Sequence, residues 1–146
     1  MYSRKLAGRK EISMNIVFLL RPKSTVAFLE ADFTLRQGLE KMYAHRYTAI
    51  PVVEKDGRYA GTVSEGDFLW NILKQEHFTK KELESYKLRE IIREDWNPAV
   101  RISATMDDLF QQVMEQNFVP VVDDRNLFMG IITRRDVIKY FCDRRQ

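Results

Sequence analysis

The stretch at residues 51–67, PVVEKDGRYAGTVSEGD, recurs at residues 120–136 as PVVDDRNLFMGIITRRD. Each copy has a Pro-Val-Val segment, a polar turn, a later glycine, and a Ser or Thr followed by Asp three positions on. The offset between the copies is 69 residues at each of these landmarks. Two copies that are each too short to bury a core predict two similar units packed face to face, with equivalent clefts between them. This arrangement favours a binding module over an enzyme.

The composition is that of a soluble globular protein. The chain has 146 residues, of which 45% are hydrophobic, and no apolar run approaches the roughly 20 residues that a membrane span requires. No signal peptide with a cleavage site is visible, so we expect a cytoplasmic protein without a membrane partner. The only cysteine is Cys142, which excludes an intramolecular disulfide and a cysteine-based zinc site.

The positive net charge comes from the N-terminal end of the sequence. Residues 1–13 contain four basic residues and one acidic residue, which equals the net charge of +3 of the whole chain. Residues 14–146 therefore balance at 20 basic and 20 acidic residues, and the two signs alternate as on a solvated surface. A phosphate-backbone binder concentrates basic residues on one face, so we expect no nucleic-acid partner.

Each repeat reads as strand, helix, strand, strand, helix. In repeat 1 the strands are expected at 26–29, 48–53 and 59–63, with a capping box at Thr34 and Gln37 and a second helix after Ser64. Phe68, Leu69 and Ile72 form the expected apolar stripe of that second helix. Repeat 2 follows the same route, with strands at 100–102, 118–122 and 127–132 and a capping pair at Thr105 and Asp108.

The domain boundaries follow from this pattern. We expect a basic disordered extension at residues 1–13, repeat 1 with a lead-in helix at 14–73, a helical linker at 74–87, and repeat 2 at 88–146. The linker is charged and contains no Gly or Pro, which suits a helix better than a flexible tether.

The doubled pattern resembles a tandem pair of CBS domains, also called a Bateman module, of the stand-alone bacterial kind. The resemblance covers about residues 14–143 and rests on the Pro-Val-Val strand, the later glycine and the Ser/Thr-x-x-Asp, repeated at fixed spacing. It implies an α/β (α+β) fold, with two β-α-β-β-α repeats packed by pseudo-twofold symmetry. It also implies a homodimer.

In family members that bind adenosine ligands, the Asp holds the ribose hydroxyls and the Ser or Thr meets the phosphate. Each cleft combines the Asp of one repeat with base-facing residues of the other. Carried over by position, the resemblance implies a ligand-binding cleft made of Ile131, Thr133, Arg134, Arg135 and Asp136 from repeat 2 and of Pro22, Lys23, Thr25, Val26, Ala27, Tyr47 and Thr48 from repeat 1.

The Ser/Thr-x-x-Asp motif also has a purely structural interpretation, because a helix N-terminus needs such residues to satisfy its free N–H groups. The two roles are compatible, since the same N-terminus attracts an anion. In the companion cleft, Glu65-Gly66 replaces Arg134-Arg135, and repeat 2 is about two residues shorter before Pro120. We therefore expect one competent site and a weaker second cleft containing Ser64, Asp67, Val100 and Asn117.

The expected function is regulatory binding of an adenine nucleotide that is signalled to a partner protein. The carboxylate of Asp136 favours a free ribose diol, as in AMP, ADP or ATP. The alternatives are a cyclic di-AMP receptor of the same fold and a dimerisation scaffold whose clefts stay empty. No enzyme activity, metal or further cofactor is expected, because His45 and His77 fall in a turn and in the linker and no Walker loop, dinucleotide fingerprint or metal spacing is present.

Overall fold

The computed structural model describes residues 15–75 and 79–144. The expected extension at 1–13, Met14 at the start of the lead-in, and His77 of the linker lie outside the described residues. No helix within the two described ranges is long and apolar enough to cross a membrane.

Repeat 1 is preceded by a short segment that contains the first strand of the chain. This segment consists of the 3₁₀ turn Ile16–Leu19, strand β1 and the 3₁₀ turn Lys23–Thr25. The elements up to the end of repeat 1 are β1 (Arg21–Pro22), β2 (Leu29–Glu30), α1 (Leu35–His45), β3 (Ala49–Val53), β4 (Tyr59–Ser64) and α2 (Glu65–Lys74).

The second half of the chain repeats this order. It begins with α3 and the 3₁₀ turn Leu88–Glu90, which lead into the strands and helices of repeat 2. Its elements are α3 (Lys80–Ser85), β5 (Val100–Arg101), α4 (Met106–Val113), β6 (Phe118–Val122), β7 (Phe128–Thr133) and α5 (Arg134–Arg144).

Side-chain caps start the helices where the sequence predicts them. Thr34 and Gln37 form a capping box at the start of α1, and Thr105 and Asp108 form one at the start of α4. In each box the side chain of one residue accepts from the backbone N–H of the other, which satisfies two free donors at once. The predicted mixed α/β class with two similar repeats is confirmed, and its strongest local signals are these caps.

The two sheets differ in size. Strands β2, β3 and β4 form a three-stranded sheet, whereas the sheet of repeat 2 has four strands in the order β1-β7-β6-β5. The extra strand is β1, which pairs antiparallel with β7 so that Arg21 lies opposite Ile131 and Pro22 opposite Gly130. Repeat 2 itself contains the three expected strands, β5, β6 and β7, and the sequence analysis did not predict that its sheet gains a fourth. A strand that precedes repeat 1 in the chain completes the sheet of repeat 2.

Gly130 makes this pairing possible. Its φ is 149°, a conformation that side chains rarely adopt, and a Cβ built on it would lie 2.0 Å from the carbonyl oxygen of Arg21. Only a residue without a Cβ lets the backbone of β1 approach this closely. At the equivalent Gly61, a Cβ would instead meet the Ile92 side chain.

The two hairpins meet at their turns around a pseudo-twofold axis. The Tyr59 N–H donates to the Asn126 carbonyl at 3.0 Å, and the Phe128 N–H donates to the Gly57 carbonyl at 2.9 Å. The 69-residue offset relates these two bonds to each other, because it converts residue 57 into 126 and residue 59 into 128. The Tyr59 and Phe128 rings stack across the axis, with centroids 6.2 Å apart. The repeats are thus joined by equivalent groups from each side.

The segments ahead of the repeats are exchanged between them. We name residues 16–25 lead-in 1 and residues 88–98 lead-in 2. Ile16 of lead-in 1 is fully buried in the core of repeat 2, and Leu88 of lead-in 2 is fully buried in the core of repeat 1. Each lead-in therefore packs against the repeat that it does not precede, and the core consists of two clusters.

Several predicted elements differ in the structure. The first strand is Leu29–Glu30 instead of 26–29, and the expected lead-in helix at 14–20 is the 3₁₀ turn Ile16–Leu19. Within 74–87 the chain forms the end of α2 and then α3, with residues 76–78 undescribed. Leu69 was expected in the core stripe, but 55% of its surface is exposed, because only the Phe68 side of α2 faces the sheet.

Candidate functional site

Asp136 lies in the first turn of α5, directly after β7. The backbone N–H of Asp136 donates to the Thr133 hydroxyl at 3.1 Å, so Thr133 caps this helix as the sequence predicts. The cap leaves the Asp136 carboxylate beside the helix N-terminus, where free N–H groups and the helix dipole favour negative charge. Both polar residues of the predicted motif thus stand at one end of the repeat 2 sheet.

A guanidinium from lead-in 1 binds this carboxylate. Arg21 donates from Nε to Oδ2 of Asp136 at 2.7 Å and from Nη2 to Oδ1 at 3.1 Å. The pair is two-pronged and partly open to solvent, with 26% of the Asp136 side chain exposed. The bond from Arg21 lowers the pKa of Asp136 and outweighs the opposing effect of burial.

Part of lead-in 1 lies against β7, next to this pair. Pro22 lies opposite Gly130, and the turn Lys23–Thr25 packs against β7. The hydrogen bond to Asp136 is the main cause that raises the pKa of the Arg21 guanidinium, and Tyr47, two residues before β3, makes a smaller electrostatic contribution. Its ring stacks on His45 with centroids 5.4 Å apart. Residues of both repeats therefore meet at Asp136.

The remaining predicted residues of repeat 1 are held by local contacts. Val26 donates from its N–H to the Lys23 carbonyl at 3.4 Å, and Ala27 is half-buried against the core of repeat 1. Thr48 is exposed, and its carbonyl accepts from the Glu65 N–H at 3.0 Å. These backbone bonds fix the edge that the sequence assigns to the adenine base.

An open concave surface of about 400 Å³ lies at the start of α5 and is lined by Asn117, Thr133, Arg134, Arg135 and Ile138. Arg135 is exposed there. Arg134 points elsewhere, because its guanidinium donates from Nε to the Val113 carbonyl at 2.6 Å and from Nη2 to the Met114 carbonyl at 3.3 Å. The last carbonyls of a helix attract a cation in this way. Arg134, which the sequence assigns to the ligand-binding cleft, thus caps the end of α4.

Lys23 also has a partner of its own. Its Nζ lies 5.0 Å from the centroid of the Phe28 ring, and Lys41 Nζ lies 5.7 Å from the same centroid. Both ammonium groups are within the range of a cation–π contact. Of the three basic residues that the sequence assigns to the cleft, Lys23 and Arg134 thus have other partners, and Arg135 is exposed.

The second cleft is closed around Asp67. The Asp67 side chain is only 6% exposed and forms a 2.7 Å ion pair with Nε of Arg93. Its Oδ2 accepts from the Ser64 N–H at 2.8 Å and from the Ser64 hydroxyl at 3.1 Å. The Arg93 guanidinium in turn lies 3.9 Å from the centroid of the Trp96 ring. Both carboxylate oxygens are engaged, so Asp67 is a structural residue here.

A hydrogen-bond network also joins lead-in 2 to β4 of repeat 1. The buried Tyr59 hydroxyl bonds the Thr62 hydroxyl at 2.6 Å and donates to the Asn97 carbonyl at 2.8 Å, and burial raises the pKa of this phenol. Asn97 is also buried and donates to Thr62 at 3.2 Å. Of the other residues assigned to the second cleft, Val100 is buried in β5 and Asn117 lies beside Thr133 instead.

The sequence analysis did not identify the arginines that pair with the two aspartates. Arg21 follows Leu19-Leu20 in lead-in 1, and Arg93 follows Ile91-Ile92 in lead-in 2. The offset between them is 72 residues (93 − 21), three more than that of the main repeat. The shared signal is two aliphatic residues followed by arginine, and a comparison of the two lead-in sequences at an offset of 72 residues would have found it. In the structure each crosses to the aspartate of the opposite repeat.

In the ranges 15–75 and 79–144, no three His, Cys, Asp or Glu side chains are grouped as they would be to hold a metal ion. The site is thus built from a carboxylate, a helix N-terminus, guanidinium groups and a tyrosine. Such groups can accept from hydroxyls, donate to an anion and contact a flat ring.

Comparison with known proteins identifies the family. The CBS domain profile matches residues 19–74 and 88–143. The chain is 29% identical over 114 residues to the protein named Cyclic di-AMP receptor B of Bacillus subtilis (strain 168), covering 78% of this chain and 77% of that protein.

Two solved structures share the fold. A crystal structure of CbpB in complex with c-di-AMP has a TM-score of 0.83 at 22% identity, covering 98% of this chain and 94% of that one. A crystal structure of CBSX2 in complex with AMP has a TM-score of 0.70 at 22% identity, covering 90% and 98%. With both halves matched by the profile, the chain belongs to the CBS domain family and carries a tandem pair of these domains.

Proposed function

We propose that this protein is a regulatory module that binds an adenine nucleotide in the cleft at Asp136 and signals its occupancy to a partner protein. One observation carries the proposal: β1 of lead-in 1 places Arg21 beside Asp136, at the partly exposed N-terminus of α5. Thr133 and Arg135 line an open surface at the same helix N-terminus. At the second cleft, in contrast, the Asp67 carboxylate is nearly buried and paired with Arg93, which stacks on Trp96.

The chemistry of the cleft suits a nucleotide. The N-terminus of α5 and the exposed Arg135 attract phosphate, while Tyr47 offers an aromatic face or edge to a base. The edges of the neighbouring backbone supply donors and acceptors that are able to pair with adenine. The ligand is an adenine nucleotide, and the candidates are AMP, ADP, ATP and cyclic di-AMP. The relative named Cyclic di-AMP receptor B and the complexes of CbpB and CBSX2 support an adenine ligand of either kind.

Calorimetric titration and thermal unfolding with AMP, ADP, ATP and cyclic di-AMP test whether the protein binds an adenine nucleotide. A ligand present at one hundred times its dissociation constant adds about 2.7 kcal/mol to the free energy of unfolding. No heat and no shift with any of the four would refute the proposal and favour an empty scaffold.

Substitution of two exposed tyrosines, Tyr47 and Tyr43, tests where the nucleotide binds. Tyr47 is assigned to the cleft by the sequence and is 42% exposed, whereas Tyr43 lies on α1 and is 81% exposed. We expect Tyr47→Ala to weaken nucleotide binding about ten-fold, the value of one aromatic contact to a base. Tyr43→Ala is the matched control and should leave the affinity unchanged. Equal losses in both variants would place the ligand elsewhere.

We also propose that a second copy of the chain covers an apolar face. Leu69 on α2 and Ile138 on α5 are related by the 69-residue offset, and each is 55% exposed. Trp70 and Leu73 extend the α2 side with 66% and 58% exposure. Equivalent apolar positions on both repeats suit a two-fold interface, in which the same surface serves both partners.

Sedimentation velocity tests the dimer. The wild-type protein should sediment as a dimer, and Trp70→Glu should sediment as a monomer because a charge in the interface is costly. Tyr43→Glu, which also places a charge at an exposed aromatic residue, should remain dimeric. A wild-type monomer at high concentration would refute this part of the proposal.

The module is proposed to act by binding and not by catalysis. The His45 ring stacks on the Tyr47 ring. The carboxylate of Asp136, the guanidinium of Arg21 and the hydroxyl of Thr133 are groups that bind a ligand through hydrogen bonds and charge. A cytoplasmic location is proposed with it, because adenine nucleotides are cytoplasmic metabolites. The effector is then a protein that contacts the occupied and the empty forms differently.

A further inference from the structure

The Arg21–Asp136 pair has a direct consequence for ligand choice. Both carboxylate oxygens accept from the guanidinium, at 2.7 and 3.1 Å, in a fork-to-fork arrangement. A ribose with free 2′ and 3′ hydroxyls presents two donors at a similar spacing and would approach a carboxylate through the same two oxygens. The diol and Arg21 are therefore competitors for Asp136.

The backbone of β1 holds Arg21 in this position. Arg21 lies opposite Ile131 in the β1–β7 pairing, and Ile16 anchors the start of the same lead-in in the core of repeat 2. The glycine at 130 allows the close approach of the two strands. The guanidinium thus begins next to the carboxylate before any ligand arrives, so that little entropy is lost when the pair forms.

The other repeat contains the same device in a tighter form. Arg93 of lead-in 2 pairs with Asp67, and there the carboxylate is nearly buried. Both repeats therefore pair the aspartate of the Ser/Thr-x-x-Asp motif with an arginine from the lead-in of the other repeat. The pair at Asp136 is the more open one, with 26% of the Asp136 side chain exposed against 6% of the Asp67 side chain.

We propose that Arg21 is a specificity-determining residue that withholds Asp136 from a free ribose diol and so selects against AMP, ADP and ATP. The favoured ligand is then one with an esterified 3′ hydroxyl, the chemical class of a cyclic dinucleotide. This inference rests on the proposed function, because it concerns the ligand of the same cleft. It reverses the preference for a free diol that Asp136 suggests when it is considered without Arg21.

The test compares AMP with 3′-deoxy-AMP in the wild-type protein and in Arg21→Gln. The two ligands share base and phosphate, so the ratio of their affinities reports only the contribution of the 3′ hydroxyl. Loss of the Arg21 charge weakens the phosphate attraction of both ligands equally and does not change this ratio. In the wild type we expect a ratio near one and tighter binding of cyclic di-AMP than of AMP. In Arg21→Gln the freed carboxylate should raise the ratio about ten-fold or more, the size of one hydrogen bond to a charged group.

Two further variants protect this test. Arg21→Lys keeps the charge but cannot hold both oxygens, so it should raise the ratio to an intermediate value if Arg21→Gln proves unstable. Arg58→Gln removes a guanidinium from an exposed pair with Asp56 and should leave the ratio near one.

The inference is overturned if the wild type already prefers AMP over 3′-deoxy-AMP by ten-fold, or if the ratio stays the same in the folded Arg21 variants. This failure differs from failure of the proposed function, in which the wild-type protein would bind none of the adenine ligands.

Discussion

Replacing Gly130 by Ala tests whether β1 is an integral part of the repeat 2 sheet. A Cβ at this position would lie 2.0 Å from the Arg21 carbonyl oxygen, whereas carbon and oxygen normally approach to about 3.3 Å. Strand β1 must therefore retreat by about 1.3 Å, which is more than its hydrogen bonds to β7 tolerate. The same shift moves Arg21 away from Asp136.

Gly61→Ala is a closely matched control. Its φ of 151° is nearly that of Gly130, so the backbone strain of about 1–3 kcal/mol is common to both variants. At Gly61 the new Cβ meets a methyl group of Ile92, 2.4 Å away, and rotation of that side chain relieves the contact. Only Gly130→Ala loses strand pairing, which adds about 1–2 kcal/mol for one or two hydrogen bonds.

Urea unfolding and hydrogen exchange measure the two effects. We expect Gly130→Ala to lose about 2–5 kcal/mol of unfolding free energy and to exchange the amides of β7 faster. Gly61→Ala should lose less and keep the protection of β7. Equal losses together with unchanged exchange in β7 would refute the reasoning that the backbone of β1 is locked by Gly130.

Three further predictions concern stability. Arg21 lowers the pKa of Asp136 in the folded state, so the stabilisation from this pair should be present above the pKa of the unfolded chain and be lost as the pH falls through the pKa of the folded protein. In urea unfolding at pH 6 and pH 3, the free energy of unfolding should therefore fall less in Arg21→Gln than in the wild type. Arg93→Gln should cost about 1–3 kcal/mol in urea unfolding, since it leaves the 6% exposed Asp67 carboxylate without its cation, and a cost near zero would contradict the structural role of that pair. Thr34→Ala should lower the free energy of unfolding by about 1 kcal/mol through loss of the α1 cap, with helix content measured by circular dichroism as the check.

Local patterns in the sequence predicted the repeated architecture. The capping boxes depend on residues three positions apart, and the hairpins depend on alternating apolar residues around a polar turn. The doubled spacing then placed the elements of repeat 2 from those of repeat 1. These features are fixed by neighbours along the chain, which is why sequence alone identifies them.

The exchange of lead-ins depends instead on contacts between distant residues. Arg21 and Asp136 are separated by 115 positions, and no local pattern shows which repeat a short segment will join. Arg134 illustrates the same limit, since an arginine at a helix start is equally suited to a phosphate and to the carbonyls of α4. Leu69 fits a helical stripe by spacing, but the spacing does not reveal that its side of α2 faces away from the sheet.

The burial of Ile16 in repeat 2 and of Leu88 in repeat 1 means that the halves of this chain are not separable parts. Cleavage in the linker should give two fragments that each lack a piece supplied by the other, so neither is complete as a folding unit. When the two fragments are mixed, each should supply the lead-in that the other lacks, and the fold should be restored by complementation. Two molecules of the whole chain should likewise be able to exchange lead-ins in a domain-swapped dimer.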